Sequence, residues 1–478
     1  MGSQGDADKR QQARCDGSKQ KPGDGGERPD DARADSSGLQ GSRPVESPPP
    51  PQPPPLALPP SLRASLSSTW SQDDDDLYPE GGAAAWLVVL GSWFAMLSAM
   101  GLMNTVGILQ AYVVEHQLRG QDPGTVGWIF SVYTFLAFFC GVYIGPVFDK
   151  YGPRWLLVAG CALTCSGVFA MSFCHELYQF VLSFGILAGT GTSLLFTPCI
   201  AAVGHWFRRR RGFATGVAST AGGIGGIVFP LMLTSLFPRI GFAWATRALV
   251  LVCLLGGLLG IMLVRSRLAP AANATAHPDL RIFCQAPFAL TTLAIFLLEF
   301  SLFIPLTFIA TFALEQGFSQ SFAFHLLPIM NAGSVVGRFL PGYYSDVFGP
   351  FNTCLFSILL SLVSCLCVWL PLGHTAPGII IFAVLFGFAS GNSIAIAPVC
   401  IGRMCKTRSY GRYYATAYTV VSFACLIGVP IGGSIIRASG GSYKPLIIVT
   451  GAIYVVSAMC MMLAKVWQLG WGGWLDAY

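Results

Sequence analysis

Three charged side chains fall inside long apolar stretches of this sequence, where a charge is costly to keep. They are Arg247, Glu299 and Arg338. Arg338 is suited to binding an anion, because a guanidinium stays charged and can hold a carboxylate through two hydrogen bonds. The alternative role for Arg338 is structural, as an arginine held by Asp346 or by helix ends. Glu299 is suited to carrying a proton, or else is a carboxylate neutralised by a partner. Arg247 follows Trp244 and is typical of an interfacial anchor.

Uncharged polar residues recur on the same apolar stretches. Those that we predict to contact an oxygen-rich solute are Asn104, Asn331, Ser334 and Asn392, with further polar groups at Tyr414 and Tyr418. The alternative for each of them is a hydrogen bond that joins two helices inside the bilayer.

The composition places these residues in a membrane protein. Of 478 residues, 53% are hydrophobic and only 11% are charged, whereas soluble domains carry roughly a quarter charged residues. No apolar stretch precedes residue 83, so we expect no cleavable signal peptide. The 15 cysteines lie mostly within apolar stretches and without ligand spacing, which favours buried small hydrophobes over metal or redox chemistry.

Twelve apolar segments of about the length that crosses a bilayer recur along the chain. They lie near 85–111, 125–146, 155–174, 178–203, 213–236, 243–264, 287–313, 322–344, 352–371, 377–400, 413–436 and 445–466. The widest break, Arg265 to Gln285, follows the sixth segment, so the pattern is six plus six. We therefore predict an all-α membrane protein with twelve transmembrane helices in two six-helix bundles.

The predicted organisation has five parts. They are a disordered cytoplasmic tail over 1–79, a first bundle over 80–264, a cytoplasmic linker over 265–285, a second bundle over 286–466 and a cytoplasmic tail over 467–478. The first tail is rich in proline, glycine and acidic residues, and it is too polar to bury a core.

The basic residues of the loops predict the orientation in the membrane. With both termini inside, the inner loops contain thirteen Lys and Arg and the outer loops four, and the largest group is Arg208–Arg211. Because Lys and Arg accumulate on the cytoplasmic side, we expect both termini to be cytoplasmic and the protein to lie in the cell membrane. Arg208–Arg211 is interpreted as an orientation and lipid-headgroup element, not as a nucleic-acid patch.

A glycine–aspartate pattern occurs at the equivalent place in each half. The pattern is G-x-x-x-D-x-x-G, with Gly145, Asp149 and Gly152 after the second segment, and Gly342, Asp346 and Gly349 after the eighth. We expect the aspartate to cap the next helix or to pair with a cation, and the second glycine to make a tight turn. Together with Arg154, these residues predict a gating loop. Such a repeat is typical of duplicated transporters.

These motifs resemble those of the major facilitator superfamily, whose loop signature is similar to Gly145–Arg154. The opening Glu80-Gly81-Gly82 with Trp86, and the segment His205–Gly216, resemble the monocarboxylate transporter family, and the long polar tail resembles its fungal branch. The resemblance implies two helical bundles, a central site and alternating access. Asn104 stands where animal relatives have a lysine, and Ser334 stands where they have an aspartate four residues before Arg338.

The sequence therefore predicts a secondary transporter for a small organic solute that is anionic or polar, in export of a secondary metabolite or uptake of a carboxylate. No G-x-x-x-x-G-K-[ST] loop occurs, so no ATP partner and no cofactor is expected. No catalytic constellation is present, so no enzymatic role is expected. No nucleic-acid partner is expected either. Membrane lipid is the other expected partner. The alternative is a transporter-like sensor that signals through its N-terminal tail.

Overall fold

The structure, a computed structural model, describes residues 78–121, 123–267 and 280–469. Ten helical segments in these ranges are long and apolar enough to cross a membrane. One of them, Arg211–Leu263, contains two helices, and the more polar Gln320–Phe348 is a further long helix. The described residues thus form twelve long helices, which confirms the predicted all-α membrane fold.

We number these helices α1 to α12 and call α1–α6 the first half and α7–α12 the second half. Their bounds are α1 Gly82–Glu115, α2 Gly124–Tyr151, α3 Arg154–Met171, α4 Leu177–Trp206, α5 211–240, α6 242–263, α7 Ala286–Glu315, α8 Gln320–Phe348, α9 Pro350–Leu372, α10 Ala376–Arg403, α11 Tyr410–Ala438 and α12 Lys444–Leu469.

Glycines set several of the helix ends. Gly241 separates α5 from α6 with φ at +75°, a backbone conformation that suits glycine because a Cβ is strained there. Gly152 ends α2 at φ +81° and Gly349 ends α8 at φ +86°. The two copies of the glycine–aspartate pattern therefore end their helices in the same way, as predicted for the tight turn.

Close helix contacts also depend on glycine. In the first half α1 crosses α5 where Gly101 meets Gly225, and a Cβ built on Gly225 would lie 2.5 Å from the Cα of Gly101. Across the two halves α5 meets α8 at Gly216 and Gly342, where a Cβ on Gly216 would lie 3.3 Å from the Cα of Gly342. Backbones can approach this closely in a membrane only where side chains are small.

Parts of the predicted organisation lie outside the described residues. The predicted tail over 1–79 is described only at Tyr78 and Pro79, and the predicted linker only at 265–267 and 280–285. The C-terminal tail is described at 467–469. The domain bounds given above stay predictions.

Candidate functional site

Arg338 lies on α8 at the seam between the two halves and is 1% exposed. Its Nε donates to the hydroxyl of Ser334 at 3.2 Å, because residues four apart lie on one face of a helix. Its Nη1 donates to the backbone carbonyl of Ser219 on α5 at 2.5 Å. The guanidinium is thus bonded to both halves of the protein, and Asp346 is not its partner.

Two residues of the first half make room for this guanidinium. A Cβ on Gly222 of α5 would collide with Nη1 of Arg338. The sulfur of Met100 on α1 lies 3.9 Å from the same nitrogen. Residue 222 must be glycine because Arg338 occupies the space that a Cβ would take. The polarisable thioether of Met100 packs against the guanidinium.

Glu299 supplies the opposite charge. It lies on α7 and is 3% exposed, and it interacts electrostatically with Arg338. It also interacts with Tyr414 and Tyr418 on α11. The two charged residues that the sequence singled out therefore lie on different helices within electrostatic range of each other, and Tyr414 and Tyr418 lie within the same range of Glu299.

Aromatic rings from the first half face these tyrosines. Phe138 of α2 lies 5.6 Å from Tyr418 between ring centroids, and Phe196 of α4 lies 6.3 Å from Tyr414. The two tyrosines are 4.5 Å apart. Sequence reasoning missed Phe138 and Phe196, because a phenylalanine in an apolar segment carries no signal of its own.

The predicted asparagines divide into two groups. Asn104 donates to the carbonyl of Gly222 at 3.0 Å, and Asn331 donates to that of Gly226 at 3.2 Å. Both lie along α5 near Arg338, one from each half. Asn392 donates instead to the carbonyl of Thr353 on α9 at 3.2 Å and is fully buried. Its side chain serves the packing of α9 and α10 and does not join the Arg338 group.

Asp149 and Asp346 cap helices of the opposite half. Asp149 accepts hydrogen bonds from the backbone N–H groups of Gly411 at 3.2 Å and Arg412 at 2.9 Å, at the start of α11. Asp346 accepts from Gly212 at 2.8 Å and from the following residue at 2.9 Å, at the start of α5. The expectation was that each aspartate caps the next helix or pairs with a cation. The capped helix belongs instead to the opposite half, while the electrostatic attraction of Asp149 to Arg412 and of Asp346 to Arg403 agrees with the second alternative. A carboxylate lowers its energy at any nearby helix N-terminus, and closure of the two halves brings α11 and α5 nearer.

Gly145 and Arg154 are further residues of the predicted gating loop. Gly145 lies against the backbone of Gly411 and leaves no space for a Cβ. Arg154 is exposed at the first turn of α3. Sequence reasoning missed Gly212 and Gly411, whose available signal is a glycine in the first turn of α5 and of α11. A Cβ on either would approach the capping carboxylate oxygen to 2.7 Å or 2.6 Å respectively.

Arg211 departs from the interpretation of Arg208–Arg211 as a headgroup element. It is 5% exposed and donates to the carbonyls of Gly204 at 2.7 Å and Phe207 at 3.2 Å. Its guanidinium also lies over the ring of Tyr410 on α11, 4.8 Å from the centroid. For Arg211 that interpretation is wrong, because the residue is buried between the C-terminal end of α4 and the second half.

The end of the molecule that carries Arg208–Arg211, here called the arginine-rich end, is therefore closed. Towards the other end, residues of α1 beyond Asn104 are exposed. Gly107 and Ala111 follow Asn104 by three and seven residues and are exposed, and a Cβ on Gly107 would meet nothing within 4 Å. Arg338 lies eight residues before Asp346 on α8, and Tyr418 lies seven residues after the capped Gly411 on α11. At 1.5 Å per residue, both are about 11 Å from the caps along their helices. Arg338 and Tyr418 thus lie at about the same depth behind the closed end.

A helical membrane protein with a buried arginine bonded across the seam of its halves, closed at one end, has the architecture of a secondary transporter. Within the part of the chain that the structure describes, no cluster of three His, Cys, Asp or Glu side chains could hold a metal ion. The chain belongs to the Major Facilitator Superfamily, whose family model matches residues 88–373 and 329–468.

Several fungal transporters are similar over most of the chain. An MFS-type transporter of Gibberella moniliformis is 39% identical over 404 residues, which cover 82% of this chain and 94% of that protein. The riboflavin transporter MCH5 of Saccharomyces cerevisiae is 31% identical over 424 residues, covering 84% and 81%. The aspyridones efflux protein apdF of Emericella nidulans is 32% identical over 399 residues, covering 83% and 79%.

Solved structures share the fold. The human organic anion transporter MFSD10 (TETRAN) superposes with a TM-score of 0.66 at 14% identity, over 80% of this chain and 100% of that one. The transporter FucP in the outward conformation superposes with a TM-score of 0.62 at 16% identity, over 79% and 98%. At these identities the likeness shows the fold alone.

Proposed function

We propose that this protein moves an organic anion across the membrane by alternating access, and that Arg338 binds the negative group of the solute. The observation that carries the proposal is the position of Arg338. Its guanidinium is bonded to Ser334 in its own half and to Ser219 in the other half. An anion that takes over one of these bonds alters the contact between the halves, which links binding to the change of access.

Glu299 completes the proposed site as the counter-charge of Arg338. A second carboxylate beside this buried pair would leave one negative charge uncompensated, which is costly away from water. A proton on Glu299 removes that charge. We therefore propose that the solute and a proton enter together and that Glu299 carries the proton, while Asn104, Asn331 and Ser334 orient the solute.

The aromatic groups around Tyr414 and Tyr418 support a solute with an apolar body. Phe138, Phe196, Tyr414 and Tyr418 lie on both sides of the seam. Flat rings bury apolar surface well and stack on other rings. The site is therefore better suited to a bulky organic acid than to a short-chain carboxylate.

The relatives support the transport of an organic compound. One is named as a riboflavin transporter and others as efflux proteins, for aspyridones and for fujikurins. We propose that this chain likewise handles a small organic solute, in export of a secondary metabolite or in uptake. The motifs at Glu80 and His205–Gly216 support a place near the monocarboxylate transporters. The replacements at Asn104 and Ser334 argue against lactate as the solute.

The proposed location is the cell membrane with both termini in the cytoplasm. The loop count of thirteen basic residues against four supports it. The arginine-rich end then faces the cytoplasm, and the structure corresponds to a state closed on that side.

The test begins with an untargeted comparison of metabolites in the cells and medium of a deletion strain, which identifies the solute. Flux of that solute is then measured in both directions with Arg338→Ala, Arg338→Lys and the matched control Arg247→Lys. Arg247 lies over Trp244 and Phe173 at 4.9 Å and 4.7 Å, so the control changes a half-buried arginine of a spanning helix outside the site. We expect loss with alanine, partial recovery with lysine and normal flux in the control. An anionic solute carried at wild-type rates by Arg338→Ala would show that the arginine is structural.

A further inference from the structure

Glu80 binds the loop that leads into α5. Its carboxylate accepts hydrogen bonds from the backbone N–H groups of Arg208 and Arg209 at 2.7 Å and of Arg210 at 3.0 Å. The residue adopts a left-handed backbone with φ +47°, which is unusual for any residue but glycine. Three backbone donors on one carboxylate hold the segment before α1 in this conformation. These bonds all lie within the first half.

Tyr78, two residues earlier, reaches the second half. Its hydroxyl donates to the hydroxyl oxygen of Thr407 at 2.6 Å, in the short turn between α10 and α11. The ring of Tyr78 lies beneath the guanidinium groups of Arg208 and Arg267, 5.9 Å and 4.9 Å from its centroid. Arg208 and Arg267 therefore hold the ring, while the hydroxyl forms a hydrogen bond with the second half.

Thr407 also receives a bond from Arg211. The distance from Nη2 of Arg211 to the hydroxyl oxygen of Thr407 is 3.4 Å. Two donors of the first half thus converge on one hydroxyl of the second half, beside Gly411 and its cap. When the site opens at the arginine-rich end these bonds must break, because the halves separate there, whereas the bonds of Glu80 can persist.

We propose that Tyr78 and Thr407 form a third tie that closes the arginine-rich end, in addition to the caps of Asp149 and Asp346, and that Glu80 positions Tyr78 for it. The strength of this tie then sets the fraction of molecules open at that end. The inference requires alternating access and is independent of which solute is carried. It assigns Tyr78 and Thr407 to the transport cycle and gives Glu80 a positioning role.

The test is hydrogen exchange of the full chain in lipid nanodiscs, followed by mass spectrometry of peptides that cover 410–413 and 211–214. The amide groups of Gly411, Arg412 and Gly212 are bonded across the seam, so their exchange reports opening. Tyr78→Phe keeps the ring and removes only the hydroxyl. We expect exchange in both peptides to rise about fivefold, the effect of losing one neutral hydrogen bond. Tyr151→Phe, an exposed tyrosine at the same end, is the control and should change nothing.

Two further variants test whether the hydrogen bond between Tyr78 and Thr407, and not the packing of the two side chains, holds the end closed. Thr407→Val should raise the same exchange, and adding Tyr78→Phe to it should have little further effect because the shared bond is already lost. Glu80→Gln should speed exchange at 208–210 and also at 410–413. Unchanged exchange at 410–413 in Tyr78→Phe would overturn the proposal. The proposal would also be overturned if the double variant raised exchange by the product of the increases seen in Tyr78→Phe and Thr407→Val alone.

Discussion

Asp149 and Asp346 occupy equivalent places in the two halves, and each caps a helix of the half to which it does not belong. Asp149 binds the start of α11 and Asp346 binds the start of α5. Each carboxylate accepts two backbone hydrogen bonds, and such charge-assisted bonds are stronger than neutral ones. The two caps are related by the internal repeat of the chain, so the closed end is held symmetrically.

Removal of either carboxylate should weaken the closed state. We expect Asp149→Asn and Asp346→Asn each to lower transport about tenfold at equal amounts of membrane protein, since bonds to a charged acceptor are worth about 1.5–3 kcal/mol. Initial rates of solute flux measure the effect, with Lys150→Gln, next to Asp149, as the control. Wild-type rates in both aspartate variants would remove the case for a gate.

Neutralising Glu299 should separate binding from coupling. In Glu299→Gln the side chain keeps its size but can no longer exchange a proton. We expect solute exchange under equal conditions on both sides to persist, while net accumulation driven by a pH gradient is lost. The measurement uses liposomes with and without an imposed gradient. If Glu299→Gln still accumulates solute in proportion to the gradient, the coupling proton travels elsewhere.

Placing an acid beside Arg338 should reduce its affinity for anions. The hydroxyl of Ser334 already lies 3.2 Å from Nε of Arg338. In Ser334→Asp a carboxylate would pair with the guanidinium and compete with the solute. We expect the KM for an anionic solute to rise at least about tenfold, on the order of 1.4 kcal/mol. Ser334→Asn, which has the size of aspartate without its charge, is the control for the larger side chain and should raise KM much less. An unaltered KM in Ser334→Asp would place the solute away from Arg338.

The orientation predicted from the loops can be tested with tags. Epitopes fused before Met1 and after Tyr478 should resist protease added to intact cells and become cleavable after permeabilisation. A tag placed next to Arg119, between α1 and α2, should be accessible from outside and acts as the positive control. Cleavage of either terminal tag in intact cells would contradict the cytoplasmic placement of both termini.

The helices and the glycine–aspartate pattern could be predicted because both are local features of the chain. Apolar length identifies a spanning helix, and the end of α2 at Gly152 follows from the residue itself. The partner of Asp149 could not be predicted, since it lies 262 residues away at Gly411 and depends on how the halves close. A sequence gives no direct measure of that approach.

The candidate site was predicted only in part for the same reason. Charges in apolar segments identified Arg338 and Glu299, but their proximity comes from the packing of α7, α8 and α11. Arg211 was misread because four consecutive arginines look alike in sequence. Arg211 is the first residue of α5 and is buried against the second half, whereas Arg209 and Arg210 precede the helix and are exposed.

Glycine backbones at Gly145, Gly212, Gly216 and Gly411 pack without room for a Cβ at the closed end, and this has a consequence for leakage. Surfaces that pack this tightly leave little room for a continuous file of water. A carrier that works against a gradient needs such a seal, because protons and small ions pass through any wet gap far faster than a carrier turns over. Bulk added at one of these glycines would therefore uncouple the protein before it unfolded it, giving a membrane that leaks rather than one that lacks the transporter.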